Sequence, residues 1–254
     1  MRRAWPLLLV LVVATALRFA RAADPRRIVL VDELARPSLR HPLGCGDGGV
    51  DLLAVATEAL LRGLLLALVV AAFSLVLGTT LGAAAGLRGG VAARALTRLC
   101  DGLQAFPSFV LALALVAAVP RPSRLHVAVV LSLTAWAPFA RLALAELRVI
   151  RGLAYVEAAR ALGAPPLQVL LRHAIPAALP TARAQLGSTA SALLVSDAAL
   201  AFLGLGPADG VSLGALVDQG VGTLVRAPHV LMVGAGALTL AAVTVQALAD
   251  RRGV

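Results

Sequence analysis

Ser212 stands in Gly210-Val211-Ser212-Leu213-Gly214, a match to G-x-S-x-G, and His229 follows as a candidate base. That pattern performs acyl transfer where a strand leads into it and a helix leaves it, so that the serine projects from a sharp turn. Here it falls between two apolar segments of a chain with 23 Gly, so chance supplies the match. An intramembrane serine protease built on Ser212 and His229 is the rival reading from another class. All 23 basic residues are Arg, which removes the Gly-Lys-Ser/Thr phosphate loop and any Schiff-base lysine. Cys45 and Cys100 form no C-x-x-C, and the planned topology sets them on opposite faces, so no disulfide is expected. His41, His126, His173 and His229 are scattered. No metal and no cofactor is expected on the chain.

Asp197 is the one acid in the middle of an apolar segment, beside Ser196 and near Ser188, Thr189 and Ser191. A carboxylate within a bilayer faces a bundle interior or a water-filled path. Asp197, Ser196 and Ser191 are therefore expected to line a translocation path, whereas Asp101 and Glu146 mark span ends.

The other polar constellation runs from Tyr155 to Pro180. Tyr155–Leu162 is rich in good helix formers, with Glu157 and Arg160 on one face and the small Ala158 and Ala159 between them. Gly163 suits a left-handed stop, and Pro165 and Pro166 suit the first turn of a second helix. Leu167, Leu170, Leu171 and Ala174 make an apolar stripe, after which Pro176 and Pro180 are expected to end the second helix. The result is a helix–turn–helix knob on the membrane surface. It fits a groove on a soluble partner, or rests on lipid headgroups through Arg160 and Arg172.

The elements that position these residues are membrane spans. Sixty percent of the chain is hydrophobic, 14% is charged, and the mean hydropathy is +0.91. Apolar runs at Gly63–Leu87, Gly102–Pro120, Leu125–Ala140, Ala184–Ala208 and Ala227–Ala249 are read as spans, with Ala4–Leu17 as a shorter first one. The fold class is all-α: a polytopic bundle of about six transmembrane helices, with the knob between the fourth and fifth. Residues 1–58 form the first segment and an extracytoplasmic loop, with a short amphipathic piece near Leu52–Leu61; residues 59–250 form the core. Ala4–Leu17 reads either as a cleaved secretory signal or as a retained span. With the N-terminus inside, the knob and its arginines are cytoplasmic. The +10 charge is topological, and no nucleic acid partner is expected. Gly78, Gly82 and Gly86, spaced by four, allow one helix to approach another closely.

Glu157-Ala158-Ala159, Gly163, Ile175-Pro176 and Leu179-Pro180 resemble the EAA loop of ATP-binding-cassette importer permeases. "HPLGCGDGGVD" (His41–Asp51), "DGLQAFPSF" (Asp101–Phe109), "YVEAARALGA" (Tyr155–Ala164), "RHAIPAALP" (Arg172–Pro180) and "ALAFLGLG" (Ala199–Gly206) are similar to segments of its dipeptide, oligopeptide and nickel subfamily, in the same order. Gly46, Val50 and Ala177 depart from that pattern. The resemblance covers nearly the whole chain and favours a retained first span. It implies a bacterial inner-membrane, multi-pass subunit that is not an enzyme. Tyr155, Glu157, Ala158, Ala159, Arg160, Gly163, Ile175, Pro176 and Pro180 would then meet an ATPase. The implied partners are a second permease, two ATPase subunits that use the ATP, an extracytoplasmic binding protein and membrane lipid. The implied substrate is a di- or oligopeptide, with nickel or another small solute as the alternative.

Overall fold

The computed structural model describes residues 24–25, 27–120, 122–150, 152–206 and 211–249, with a few isolated positions before residue 24. The expected first span, Ala4–Leu17, lies almost wholly outside the described residues. From Leu52 onward the described residues are mostly helical, and among the described residues the sole β pairing is an isolated bridge between Cys45 and Asp51.

Helix α1, Leu52–Arg88, begins where the Asp51 carboxylate accepts from the Leu53 and Ala54 N–H groups, at 2.9 and 3.1 Å. These are two of the donors that a helix start leaves unmatched. The amphipathic piece expected at Leu52–Leu61 is simply the first part of this 37-residue helix. Helices α2 (Gly90–Ala105) and α3 (Ser108–Ala117) are apolar enough to span only as a pair, and they meet at a 73° bend. The expected continuous span Gly102–Pro120 is therefore broken. Pro107 is the cause, because a proline pushes its predecessor out of the helical region, and Phe106 is extended at φ −90°, ψ 136°. Helices α4 (Arg124–Ala135) and α5 (Ala137–Ile150) join through Trp136 into one span longer than the expected Leu125–Ala140.

Helix α6 is Ala154–Ala161. Helix α7 runs from Pro166 to Leu205, straight through both prolines that were expected to end a separate short helix. At Pro176 the physical reason is a π turn at Leu170–Ala174, closed by the Ile175 N–H on the Leu170 carbonyl. Pro176 would crowd the carbonyl of Arg172, four residues back, and Arg172 lies in this wider turn. Helix α8, Leu213–Gly222, and α9, Pro228–Ala249, complete the bundle. Among the described residues four helices are long and apolar enough to cross a membrane, five if α2 and α3 make one span.

Helices α1 and α5 pack closely. A Cβ added at Gly78, Gly82 or Gly86 would lie 2.3 Å from the Trp136 carbonyl, 2.3 Å from the Ala140 carbonyl or 2.5 Å from the Leu147 Cβ. The four-residue glycine spacing is thus a seam on which α5 lies. Ahead of α1, residues 27–51 fold into a hydrogen-bonded cap, with Val29 N–H on Gly48 O, Leu34 N–H on Gly46 O and Cys45 N–H on Ala35 O. His41 is clamped within it, Nδ1 donating to Asp51 Oδ2 at 2.9 Å. Cys45 is fully buried there, and burial, then Asp51 and Asp32, push its thiol above the usual range. Cys45 and Cys100 are both free.

Candidate functional site

Among the described side chains of the knob's short helix, Val156 is the one that is buried. Val156 is fully buried among Ala83 of α1, Leu147 and Ile150 of α5, and Val169, Ala174 and Ala178 of α7. Apolar burial of a valine is worth roughly 1.5–3 kcal/mol, enough to pin eight residues to three spans. Sequence reading passed over Val156 because it looks like one more valine. Glu157 and Ala158, next in the chain, are exposed, and Leu162, Leu167 and Leu171 follow as exposed apolar side chains. Gly163 turns the chain with φ +80° and open space around its Cα, so a side chain there would be opposed by torsion rather than crowding. The side chains of Tyr155, Ala159 and Arg160 lie outside the described residues, as does the expected pairing of faces between Glu157 and Arg160. Ile175 is half-buried against the Val156 cluster, whereas Pro176 and Pro180 point outward from α7.

The second feature is a cavity of about 550 Å³ at the break between α2 and α3. Gln104, Phe106, Pro107 and Ser108 line it from the break, Thr134 from α4, and Gln185, Ser188, Thr189 and Ser196 from α7. Irregular backbone at membrane depth persists where it borders a watery cavity. No charged side chain is in this lining; its polarity comes from amides and hydroxyls. An ion pair from Arg141 of α5 to Asp101, 3.1 Å, and a hydrogen bond from Arg141 to Gln104, 3.2 Å, brace α2 beside it. Sequence reading named Ser196 for the path but missed Gln104 and Gln185, although Pro107 within an apolar run was a signal for the break.

The three expected path residues do not share one surface. Ser196 faces the cavity. Asp197, 8% exposed, faces α1, where its Oδ2 lies 3.8 Å from the position a Gly63 Cβ would take. The positive charge acting on it is that of Arg124, which also donates to the Val211 carbonyl at 2.7 Å. Ser191 donates to the Ala242 carbonyl of α9 at 2.9 Å, joining α7 to the last helix.

Ser212 and His229 have separate engagements. Ser212 is the N-cap of α8, its hydroxyl accepting from the Ala215 N–H at 3.1 Å. The His229 Nε2 donates to the Cys45 carbonyl at 3.3 Å, fastening α9 to the cap. Ser212 and His229 are thus bonded to different partners rather than paired as nucleophile and base, and the serine-protease reading is not favoured. Among the described residues no group of three His, Cys, Asp or Glu side chains could hold a metal ion.

Comparison with known proteins adds to this geometry. Residues 78–250 match a family described as binding-protein-dependent transport system inner membrane component. A glutathione transport system permease protein of Pectobacterium atrosepticum is 32% identical over 219 residues, which is 84% of this chain and 71% of the relative. A permease of the same description from Shigella dysenteriae is 30% identical over 249 residues, 96% of this chain and 80% of the relative. A probable D,D-dipeptide transport system permease of Escherichia coli is 31% identical over 198 residues, 78% of this chain and 66% of the relative.

Proposed function

Because the chain belongs to the family of binding-protein-dependent transport system inner membrane components, we propose that it is one of two permease subunits of an ATP-driven importer of di- or oligopeptides. The peptide class is supported by the substrates named for its relatives, glutathione and D,D-dipeptide. The observation that carries the mechanism is the anchoring of Val156. A helix that presents Glu157 and Ala158 outward, with Leu162 just after it, is joined through the buried Val156 to α1, α5 and α7. A force applied to that face by an ATPase subunit is passed to the three helices as a rigid push. Those helices shift between inward- and outward-facing packings, and ATP binding selects between them by differential contact.

The remaining roles follow. Two ATPase subunits on the cytoplasmic side use the ATP, a second permease completes the path, and a binding protein delivers peptide to the outer face. Ser196, Asp197 and Ser191 belong to the path wall or to its supports, and the chain itself transforms nothing. The test is reconstitution of the permeases with their ATPase subunits and binding protein in liposomes, followed by uptake of labelled short peptides and of nickel. ATP-dependent peptide uptake is expected; uptake of nickel alone overturns the peptide assignment.

A further inference from the structure

We infer that Arg141 is the positioning residue that carries a push on the knob to the cavity at the broken span, by making α2 move with α5. The inference rests on the importer reading and adds how the lever reaches the site. Helices α2 and α5 meet along a polar stripe. Thr97, Asp101 and Gln104 stand at i, i+4 and i+7 on α2, and Arg141 and Arg148 at i and i+7 on α5, so each set shares a helix face. The Arg141 Nη1 donates to Asp101 Oδ1 at 3.1 Å and to Gln104 Oε1 at 3.2 Å. The Arg148 Nη2 donates to the Thr97 hydroxyl at 3.3 Å. Higher numbers on one helix meet lower numbers on the other, so the two run antiparallel and the three bonds fix one register. Sliding α2 by a turn, about 5.4 Å, would break them all.

The second observation is how little else holds α2. Of its 16 residues only Ala93 and Cys100 are buried. Cys100 packs against Trp136 and against Ala137 and Ala140 of α5. Both ends of α2 are turns: Gly89 and Gly90 hold φ +66° and +52° ahead of it, and Phe106 is extended after it. Such ends absorb backbone rotation, so α2 can follow α5 as a body. Helix α5 in turn ends at Ile150, which clusters with Leu147 and with Val156 of the knob. Arg141 precedes Ile150 by about 14 Å of helix. A displacement at Val156 therefore passes along α5 to Arg141, from there to Asp101 and Gln104, and Gln104 lines the cavity. The Arg141 and Asp101 side chains are 50% and 53% exposed, so their pair adds little to stability and its use is alignment.

The full complex in liposomes is given labelled tri-alanine and ATP, and uptake per ATP hydrolysed is measured, with co-purification of the ATPase as the assembly check. Arg141→Ala should lower that ratio by about tenfold, within the range usual for coupling between two sites. Asp101→Arg alone should lower it as far, because two guanidinium groups then face each other. Arg141→Asp combined with Asp101→Arg restores an opposite pair and should return the ratio to within about threefold of the parent's, which a loss of shape alone would not allow. Cys100 reports the movement itself. In the parent it should stay closed to N-ethylmaleimide with and without ATP and vanadate, because α2 travels with α5. In Arg141→Ala it should become labelled once ATP is bound, because α2 lags behind. An unchanged ratio in Arg141→Ala, a loss that the exchanged pair does not restore, or Cys100 labelling alike in both proteins overturns the inference. The parent's own uptake separates the two levels: ATP-dependent peptide uptake with an unchanged ratio in Arg141→Ala sinks this inference alone, whereas no uptake of any peptide sinks the import reading with it.

Discussion

The carbonyl of Ala140 on α5 occupies the space that a side chain on Gly82 of α1 would need, 2.3 Å from the position of its Cβ. The contact is backbone against backbone, so neither helix can yield by moving a rotamer. Gly82→Leu should push α1 from α5 along the seam that Gly78 and Gly86 share. Overpacking of this kind costs about 1–3 kcal/mol, and more where backbone must move. Thermal unfolding in detergent should show a lowered midpoint, and a variant as stable as the parent would show that the seam is not tight.

Asp51 joins the cap to α1 by two separate contacts, capping Leu53 and Ala54 with one oxygen and holding His41 with the other. Asp51→Ala loses both and should cost about 1–2 kcal/mol from the cap alone. Asp51→Asn keeps an oxygen for the N–H groups and should recover most of that. Protease sensitivity of residues 27–51 would report the loosening. Cys45, buried under the same cap with its thiol pushed upward, should resist alkylation at neutral pH in the parent and react in Asp51→Ala.

Asp197 faces α1 rather than the cavity, under the field of Arg124. Asp197→Leu should slow uptake while insertion and co-purification with the ATPase stay intact, because the apolar replacement leaves no buried charge behind. Uptake equal to the parent's would show that Asp197 neither lines the path nor supports it.

Pro107 sets the bend that opens the cavity. Pro107→Ala lets Phe106 return to the helical region and lets α2 run into α3. Peptide uptake should fall severalfold while the knob still binds its ATPase. Uptake equal to the parent's would mean that the break is not part of the path.

Much of this was legible in the residues. Four of the apolar runs lie in helices long enough to cross a membrane and a fifth in the bent pair α2 and α3, the glycine spacing is a helix seam, and Gly163 adopts the left-handed turn expected of it. What failed did so at prolines. Pro176 and Pro180 read as stops, yet α7 passes through both; at Pro176 a π turn at Leu170–Ala174 absorbs the crowding, and nothing in residue type announces such a turn. Pro107 read as an ordinary member of a span, yet there the helix breaks, because no neighbouring turn relieves it. Val156 was unremarkable by type, and only burial separates it from Glu157 and Ala158.

The central claim is that the segment from Ala154 to Gly163 is the lever between ATP and the spans, and one experiment addresses it directly. Glu157→Arg reverses an exposed charge on its outer face, and Gly163→Val forces a β-branched residue to φ +80°, at a cost of about 1–3 kcal/mol. That is the scale of energy which biases two-state transitions. In liposomes containing the full complex, peptide uptake and peptide-stimulated ATP hydrolysis are measured together, with co-purification of the ATPase as the assembly check. The account predicts that both variants insert, yet lose uptake and stimulated hydrolysis far beyond any loss of protein. If both transport and couple hydrolysis like the parent, the helix held by Val156 is not the lever.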